Sequence, residues 1–127
     1  MFKSNIIRNI ILYADIIQKG RDMVFNTGAA LLDAIVLAVI SREREGTYGY
    51  RITQEVRRAL EVSESTLYPV LRRLQRDGCL MAYDREYGGR NRRYYKLTDR
   101  GAAQLQMYRG EWINYSTKIT RLFEGRE

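Results

Sequence analysis

Hydrophobic residues recur every three or four positions in several segments of the chain, a spacing typical of helices with one buried face. Residues 29–40 are apolar on nearly every side apart from Asp33, which predicts a helix buried over most of its surface. A second helix is predicted where Ile52, Val56 and Leu60 recur every four residues, after a short connection punctuated by glycines. Charged and polar residues fill the positions between them, so this helix has one solvated face.

The third periodic segment, residues 65–77, contains Pro69, the only proline of the chain. A proline inside a helix removes one backbone hydrogen bond and costs about 3 kcal/mol. The predicted buried face consists of Leu67, Val70, Leu71 and Leu74. The opposite face combines hydroxyl, guanidinium and ring groups, supplied by Ser65, Pro69, Arg72 and Arg76 and flanked by Tyr68 and Arg73. Arginine reads guanine edges and hydroxyl groups bind phosphates, so this face is a candidate DNA contact. The alternative is an ordinary surface helix that tolerates a proline.

This third helix is predicted to start at a serine cap, Ser63 or Ser65, and to end at Gly78. After Gly78 the hydrophobic period changes from 3.6 to 2. The segments "LMAYDREY" and "RNRRYYKL" flank Gly88 and Gly89, which predicts two strands joined by a tight turn. Alternation in the second strand places Tyr95 and Leu97 on one face. The other face is predicted to carry Arg92, Tyr94 and Lys96.

A last helix is predicted from a Thr98 cap, with Asp99 in its first turn. Its apolar residues repeat at alternating steps of three and four, the spacing of a helix that packs lengthwise on a partner helix. They are Leu105, Tyr108, Trp112, Tyr115, Ile119 and Leu122. A helix from residue 99 to 123 would be about 37 Å long, more than a single protomer covers easily, so we predict a dimerisation helix. The rings at its centre either fill the dimer core or line a pocket for a planar aromatic effector.

Residues 1–22 carry a further apolar stripe of isoleucines and a tyrosine, which favours a short amphipathic helix. Met23 follows it, and the residues before Met23 are interpreted as an extension from an upstream start. We therefore predict an N-terminal extension over residues 1–24, a DNA-binding domain over 25–98 and a dimerisation helix over 99–127. The order of helix, helix, helix, hairpin and helix indicates a mainly α fold with a small β-hairpin, a winged helix-turn-helix.

Composition narrows the function further. The 127 residues include 22 Lys and Arg against 15 Asp and Glu, a net charge of +7. Such an excess favours an anionic partner, nucleic acid or a membrane surface, although a solvated basic surface would also account for it. No uninterrupted apolar segment is long enough to span a membrane, and a single cysteine, which excludes an internal disulfide, fits the cytoplasmic protein that we predict. The chain has no histidine and one cysteine, Cys79, which argues against metal sites, disulfides and imidazole-dependent catalysis, and no cofactor is predicted.

Three motifs together resemble the PadR family of bacterial transcriptional regulators. They are "YGYRITQEV", "STLYPVLRRLQRDGCL" and "GGRNRRYYKLTDRG", and the resemblance covers about residues 30–112. It implies a homodimeric winged-helix regulator, usually a repressor, that binds a double-stranded DNA operator; some members bind drugs or phenolic compounds. Residues 65–96 hold seven Arg and one Lys against three acidic residues, and this excess agrees with DNA binding.

On the residues and the resemblance together, we predict a sequence-specific repressor released by a small aromatic effector. The predicted DNA-contacting residues are Tyr48, Gly49, Tyr50, Ser63, Ser65, Thr66, Tyr68, Pro69, Arg72, Arg73, Arg76, Gly88, Gly89, Arg90 and Arg92. A winged helix used for protein interaction or RNA binding is a second hypothesis, but the outward arginines would then lack a specific role. An enzyme is a third hypothesis, which no catalytic constellation or glycine-rich phosphate loop supports.

Overall fold

The computed structural model describes residues 28–126. The predicted N-terminal extension and its amphipathic helix lie outside these described residues. The described part consists of α1 (Gly28–Ser41), β1 (Thr47–Tyr48), α2 (Gly49–Val56), α3 (Glu64–Arg76), β2 (Leu80–Tyr87), β3 (Arg90–Leu97) and α4 (Asp99–Phe123). This order confirms the predicted winged helix with a long C-terminal helix. None of the helices between residues 28 and 126 combines the length and the apolar character that a membrane span requires.

The hydrophobic core is built around α1, which contacts α2, α3, α4 and β3. Val36, Leu37 and Ile40 of α1 have no exposed surface, because the helix is apolar on several sides and neighbours cover each of them. Burying a side chain of this size stabilises the fold by about 1.5–3 kcal/mol. Leu67 and Leu71 of α3 face the same core, so the predicted buried face of this helix is confirmed.

The ends of α3 follow local chemistry. Ser63 is the N-cap, and its Oγ accepts a hydrogen bond from the Thr66 amide at 3.3 Å. Pro69 lies inside the helix, so the carbonyl of Ser65 lacks the amide donor that would normally follow four residues later. At the other end Gly78 has a positive φ of 80°, which lets the next amide bond back to the helix and stop it.

The second helix is shorter than its hydrophobic spacing predicts. It ends at Val56, and Leu60 lies beyond it in the connection to α3, where it is half-buried. The amides of Ala59 and Leu60 both bond to the Val56 carbonyl, so the chain makes a tight turn there. Leu60 therefore does not extend the buried face of α2.

The wing contains three strands rather than the predicted two. β1 pairs antiparallel with β3, and the sheet order is β1-β3-β2. A strand of two residues is too short to produce a recognisable alternation, so β1 was missed. Gly88 and Gly89 have φ values of 60° and 79°, the left-handed conformations that a two-residue hairpin turn requires.

Tyr94 lies on the predicted face of β3, with Arg92 and Lys96, and its ring is buried there. Alternation places its ring on the face of β3 that carries Arg92, yet only 7% of Tyr94 is exposed. The rings of Tyr48 and Tyr83 cover it, with centroids at 5.5 Å and 5.7 Å. The outer face of the sheet therefore has an aromatic layer of its own.

Candidate nucleic-acid interface

An open groove of about 880 Å³ lies between the N-terminus of α2, the exposed face of α3 and strand β3. Arginines enter it from both sides: Arg72 and Arg76 from α3, and Arg92 and Arg93 from β3. Among residues 28–126 no acidic side chain lines this groove, although Asp77 lies 3.9 Å from the Nε of Arg76 just outside the lining. The complete lining is Tyr48, Gly49, Tyr50, Tyr68, Arg72, Gln75, Arg76, Arg92, Arg93 and Tyr95.

Tyr68 joins the two helices of the groove. A Cβ at Gly49 would lie 3.2 Å from Cε1 of the Tyr68 ring, so the close approach of α3 to the start of α2 favours a glycine there. The pKa of Tyr68 is raised, chiefly by burial and then by the negative charge of Glu64. Its hydroxyl therefore stays protonated and can donate a hydrogen bond to a phosphate or a base acceptor.

Predicted hydroxyl residues gather at the start of α3, outside the groove lining. The Oγ of Ser63 lies 2.8 Å from the Ser65 hydroxyl and 3.1 Å from the Thr66 hydroxyl. All three residues are exposed, as is Pro69 on the next turn. Ser63 also caps the helix, so its position is determined by the backbone.

Arg92 connects the wing to the groove. Its guanidinium carbon lies 4.5 Å from the centre of the Tyr48 ring and 5.0 Å from that of Tyr87. Such cation–π contacts favour this position of the guanidinium over the rings. The predicted turn residues Gly88, Gly89 and Arg90 are exposed at the tip of the hairpin and do not line the groove.

Arg73, which was predicted to contact DNA, binds Asp33 within the protomer. Its two terminal nitrogens each bond to a carboxylate oxygen of Asp33 on α1, both at 2.6 Å. The pKa of Arg73 is raised, first because of these hydrogen bonds. Asp33 is buried, so the guanidinium neutralises a charge in the interior. We therefore remove Arg73 from the residues predicted to contact DNA.

Three residues that line the groove were not among the predicted DNA-contacting residues: Gln75, Arg93 and Tyr95. Gln75 lies three positions after Arg72, and helical spacing could have found it. Arg93 and Tyr95 are on the face of β3 that packs towards the helices, and alternation predicted only that Tyr95 and Leu97 share a face. Their approach to the groove depends on where α3 lies against the sheet.

The predicted dimerisation residues divide into two environments. Leu105 and Tyr108 are buried in the core of the protomer, which corrects their assignment to a surface seam, and burial raises the pKa of Tyr108. Further along α4, Trp112 and Tyr115 are exposed with ring centres 6.3 Å apart. Ile119 is half-buried and Leu122 is exposed.

Residues 28–126 contain no group of three or more acidic, cysteine or histidine residues that could hold a metal ion. Cys79, the only cysteine of the chain, is buried. Burial raises the pKa of its thiol, so the thiolate that would react or bind metal is disfavoured.

Residues 36–107 match the transcriptional regulator PadR-like family. The chain belongs to this family. Among the similar solved structures is the crystal structure of a protein from Streptococcus mutans, with a TM-score of 0.74 and 38% sequence identity. The superposition covers 83% of this PadR-like chain and 97% of the S. mutans chain. A transcriptional regulator of Mycobacterium tuberculosis is 46% identical over 59 residues, 46% of this chain and 55% of that regulator.

The fold is also that of Bacillus subtilis PadR, whose crystal structure is a complex with operator DNA. The TM-score is 0.56 and the identity 23%, over 61% of this chain and 45% of the other. Family membership confirms the prediction of a transcriptional regulator. It also favours this prediction over the hypothesis of an enzyme.

Proposed function

We propose that this PadR-like regulator binds a DNA operator through the groove between α2, α3 and β3. The observation that carries the proposal is the convergence of four arginines on one groove, whose lining in the described part of the chain includes no acidic residue. Duplex DNA is a dense polyanion, and it is the ligand of the B. subtilis protein that shares this fold. Membership in a family of transcriptional regulators also supports a DNA contact.

In this proposal α3 enters the major groove, which is wide enough to admit a helix. Arg72 projects from the middle of the exposed face of α3 and contacts a guanine edge. Arg92 and the exposed turn with Arg90 contact phosphates or the minor groove. The hydroxyls at the start of α3 and the Tyr48-Gly49-Tyr50 segment contact the backbone and set the register of the helix.

Two arginine variants test this division of roles. Arg72→Ala is expected to lower the ratio of specific to non-specific affinity, because a base contact discriminates by about 1–3 kcal/mol. Arg92→Ala is expected to lower both affinities together and to reduce the salt slope by about one. The measurement is fluorescence anisotropy with the DNA upstream of the coding gene and with a scrambled duplex, at several salt concentrations.

Failure of the unaltered protein to bind either duplex would contradict the DNA-binding proposal itself. An unchanged specificity ratio in Arg72→Ala would show that this residue does not read bases, and α3 would then be a phosphate contact. Arg58→Ala serves as the control, since this exposed arginine lies beyond the end of α2 and pairs with Glu55.

We further propose that the protein acts as a homodimeric repressor in the cytoplasm and that α4 holds the dimer together. Support comes from the exposed apolar residues in the second half of α4, among them Trp112, Ile113, Leu122 and Phe123. A helical surface of this kind is costly to leave in water. Two protomers would also present two copies of α3 to successive turns of the DNA.

The proposed effector is a planar aromatic molecule bound between protomers beside Trp112 and Tyr115. Their rings are tilted by 38° to one another and partly exposed, so a flat ligand has apolar surface to cover. Trp112 is the only tryptophan, and titration with an acridine dye should therefore quench its fluorescence in a saturable way. A strictly linear response would contradict the site.

A further inference from the structure

On the β2–β3 hairpin, the acidic side chains all lie on one face of the sheet, and the other face has basic side chains but no acidic ones. The register of β2 and β3 places Arg85 opposite Arg92 and Met81 opposite Lys96, so their side chains share the outer face of the sheet, away from the helices. Arg90 lies on this face as well. The acidic residues of the two strands, Asp84 and Glu86, point to the opposite face. All the charged side chains on the outer face of β2 and β3 are therefore basic.

Tyrosine rings lie beneath these basic groups. The guanidinium carbon of Arg85 is 5.6 Å from the centre of the Tyr94 ring, and Arg92 lies over Tyr48 and Tyr87. The Tyr83 hydroxyl donates to the backbone carbonyl of Glu45, which ties the aromatic layer to the loop before β1. Each guanidinium thus lies over a tyrosine ring and keeps several N–H donors for an anionic ligand.

This layer favours contact with phosphates over contact with bases. Base stacking on a sheet requires accessible ring faces, but Tyr94 is buried and the Arg92 guanidinium covers Tyr48. The fork of a guanidinium matches the oxygens of a phosphate group. A single-stranded ligand that stacks its bases is therefore the less suitable occupant.

The outer face of the sheet adjoins the groove, which indicates that the phosphates it binds belong to the same DNA duplex. Tyr48 and Arg92 belong both to the outer face and to the groove lining. Strands of eight residues extend for about 27 Å, a length along which duplex DNA carries many phosphates. A duplex that leaves the groove past Arg92 can therefore continue along this face.

We infer that the outer face of the β2–β3 sheet is a second DNA-contacting surface, which binds the phosphate backbone of duplex DNA flanking the segment held in the groove. Arg85 and Lys96 make these contacts, and neither residue lines the groove. The inference rests on the proposed function, because the groove must first hold DNA.

Two duplexes with the same central sequence separate this surface from the groove. One has about 20 base pairs, two helical turns, and the other adds about ten base pairs on each side. Arg85→Gln and, separately, Lys96→Gln are expected to lower the affinity for the long duplex several-fold and reduce its salt slope by about one. Their affinity for the short duplex should stay unchanged. Arg58→Gln, with the same loss of charge at a remote exposed site, should affect neither duplex.

The remaining outcomes are distinguishable. If the unaltered protein binds neither duplex, the proposed function fails. If it binds both while Arg85→Gln and Lys96→Gln behave like the unaltered protein, or lose affinity equally for both lengths, the second surface is wrong. A labelled oligothymidine strand completes the experiment: a larger loss for this strand than for the long duplex would make the face a single-strand platform and overturn the inference. Thermal unfolding of each variant confirms that it is folded.

Discussion

Arg72 and Arg73 are adjacent in the chain but have different environments, because α3 turns about 100° per residue. Arg72 points to the groove, whereas Arg73 reaches back to Asp33 on α1. A guanidinium with both terminal nitrogens on one carboxylate is a directional contact. It holds α3 against α1 at one rotation, with the exposed arginines facing outward.

Removing this contact should cost stability. Arg73→Met leaves the Asp33 carboxylate buried without a cation, and we expect the free energy of unfolding to fall by about 3 kcal/mol. Combining it with Asp33→Leu should recover most of the loss, since both charges are then gone. Arg72→Met is the control and should change stability by less than about 0.5 kcal/mol. Urea unfolding at one protein concentration measures these three variants and the single variant Asp33→Leu, and additive losses in the double variant would contradict the coupling.

At the scale of elements, α4 passes through two environments. Its start packs against the wing: Thr98 caps the helix and also donates a hydrogen bond to the Gly78 carbonyl at 2.5 Å. Gly101 and Leu105 follow and are buried, while residues beyond Trp112 are mostly exposed. One helix thus serves both the protomer core and a surface available to a partner.

Two glycines of α4 provide a test of this difference. A Cβ at Gly101 would lie 2.1 Å from the carbonyl oxygen of Cys79, whereas within residues 28–126 a Cβ at Gly110 has no neighbour within 4 Å beyond its own stretch of helix. Gly101→Ala should destabilise the protein by about 1–3 kcal/mol, since backbone must shift. Gly110→Ala should instead stabilise it by about 0.5–1 kcal/mol, because alanine restricts the unfolded chain. Equal effects in thermal unfolding would show that α4 does not start against Cys79.

At the scale of the whole molecule, the arginine-lined groove and the largest group of exposed apolar residues occupy separate regions. The groove arginines lie on α3 and β3, whereas Trp112, Ile113, Tyr115, Leu122 and Phe123 are exposed on the second half of α4. The other large exposed apolar residues of the described part are Tyr50, Tyr68, Met81 and Tyr87, at the groove and on the wing. Such a separation suits a protein that meets a polyanion with one surface and a second copy of itself with another.

The dimer proposal predicts a position-dependent effect of one added charge. Trp112→Arg would place a cation inside the helix-to-helix contact, where burial without a partner is strongly unfavourable. We expect sedimentation equilibrium to show a shift from dimer towards monomer. Asn114→Arg adds the same charge to the same helix, off the heptad seam, and should leave the dimer intact. A dimer that survives Trp112→Arg would mean that the contact lies elsewhere.

Local periodicity was enough to predict most of the secondary structure. The buried leucines of α3, the Gly88-Gly89 turn and the Thr98 cap depend on neighbours in the chain, and each behaves as its local chemistry requires. The predicted groove residues from Tyr48 to Arg92 likewise came from motifs and from the exposed side of one helix. Their proximity follows from the winged-helix order of the elements.

Packing between elements decided the rest. Arg73 is drawn to Asp33, forty positions earlier in the chain, and Tyr94 is buried by rings from two other strands. Leu105 and Tyr108 continue the heptad of α4 but enter the protomer core because α1 lies beside them. Periodicity reports which side of an element is apolar, whereas the identity of the covering surface depends on contacts between residues far apart in the chain. That physical difference separates the fold, which local patterns predicted, from the exact membership of the DNA-contacting and dimer surfaces.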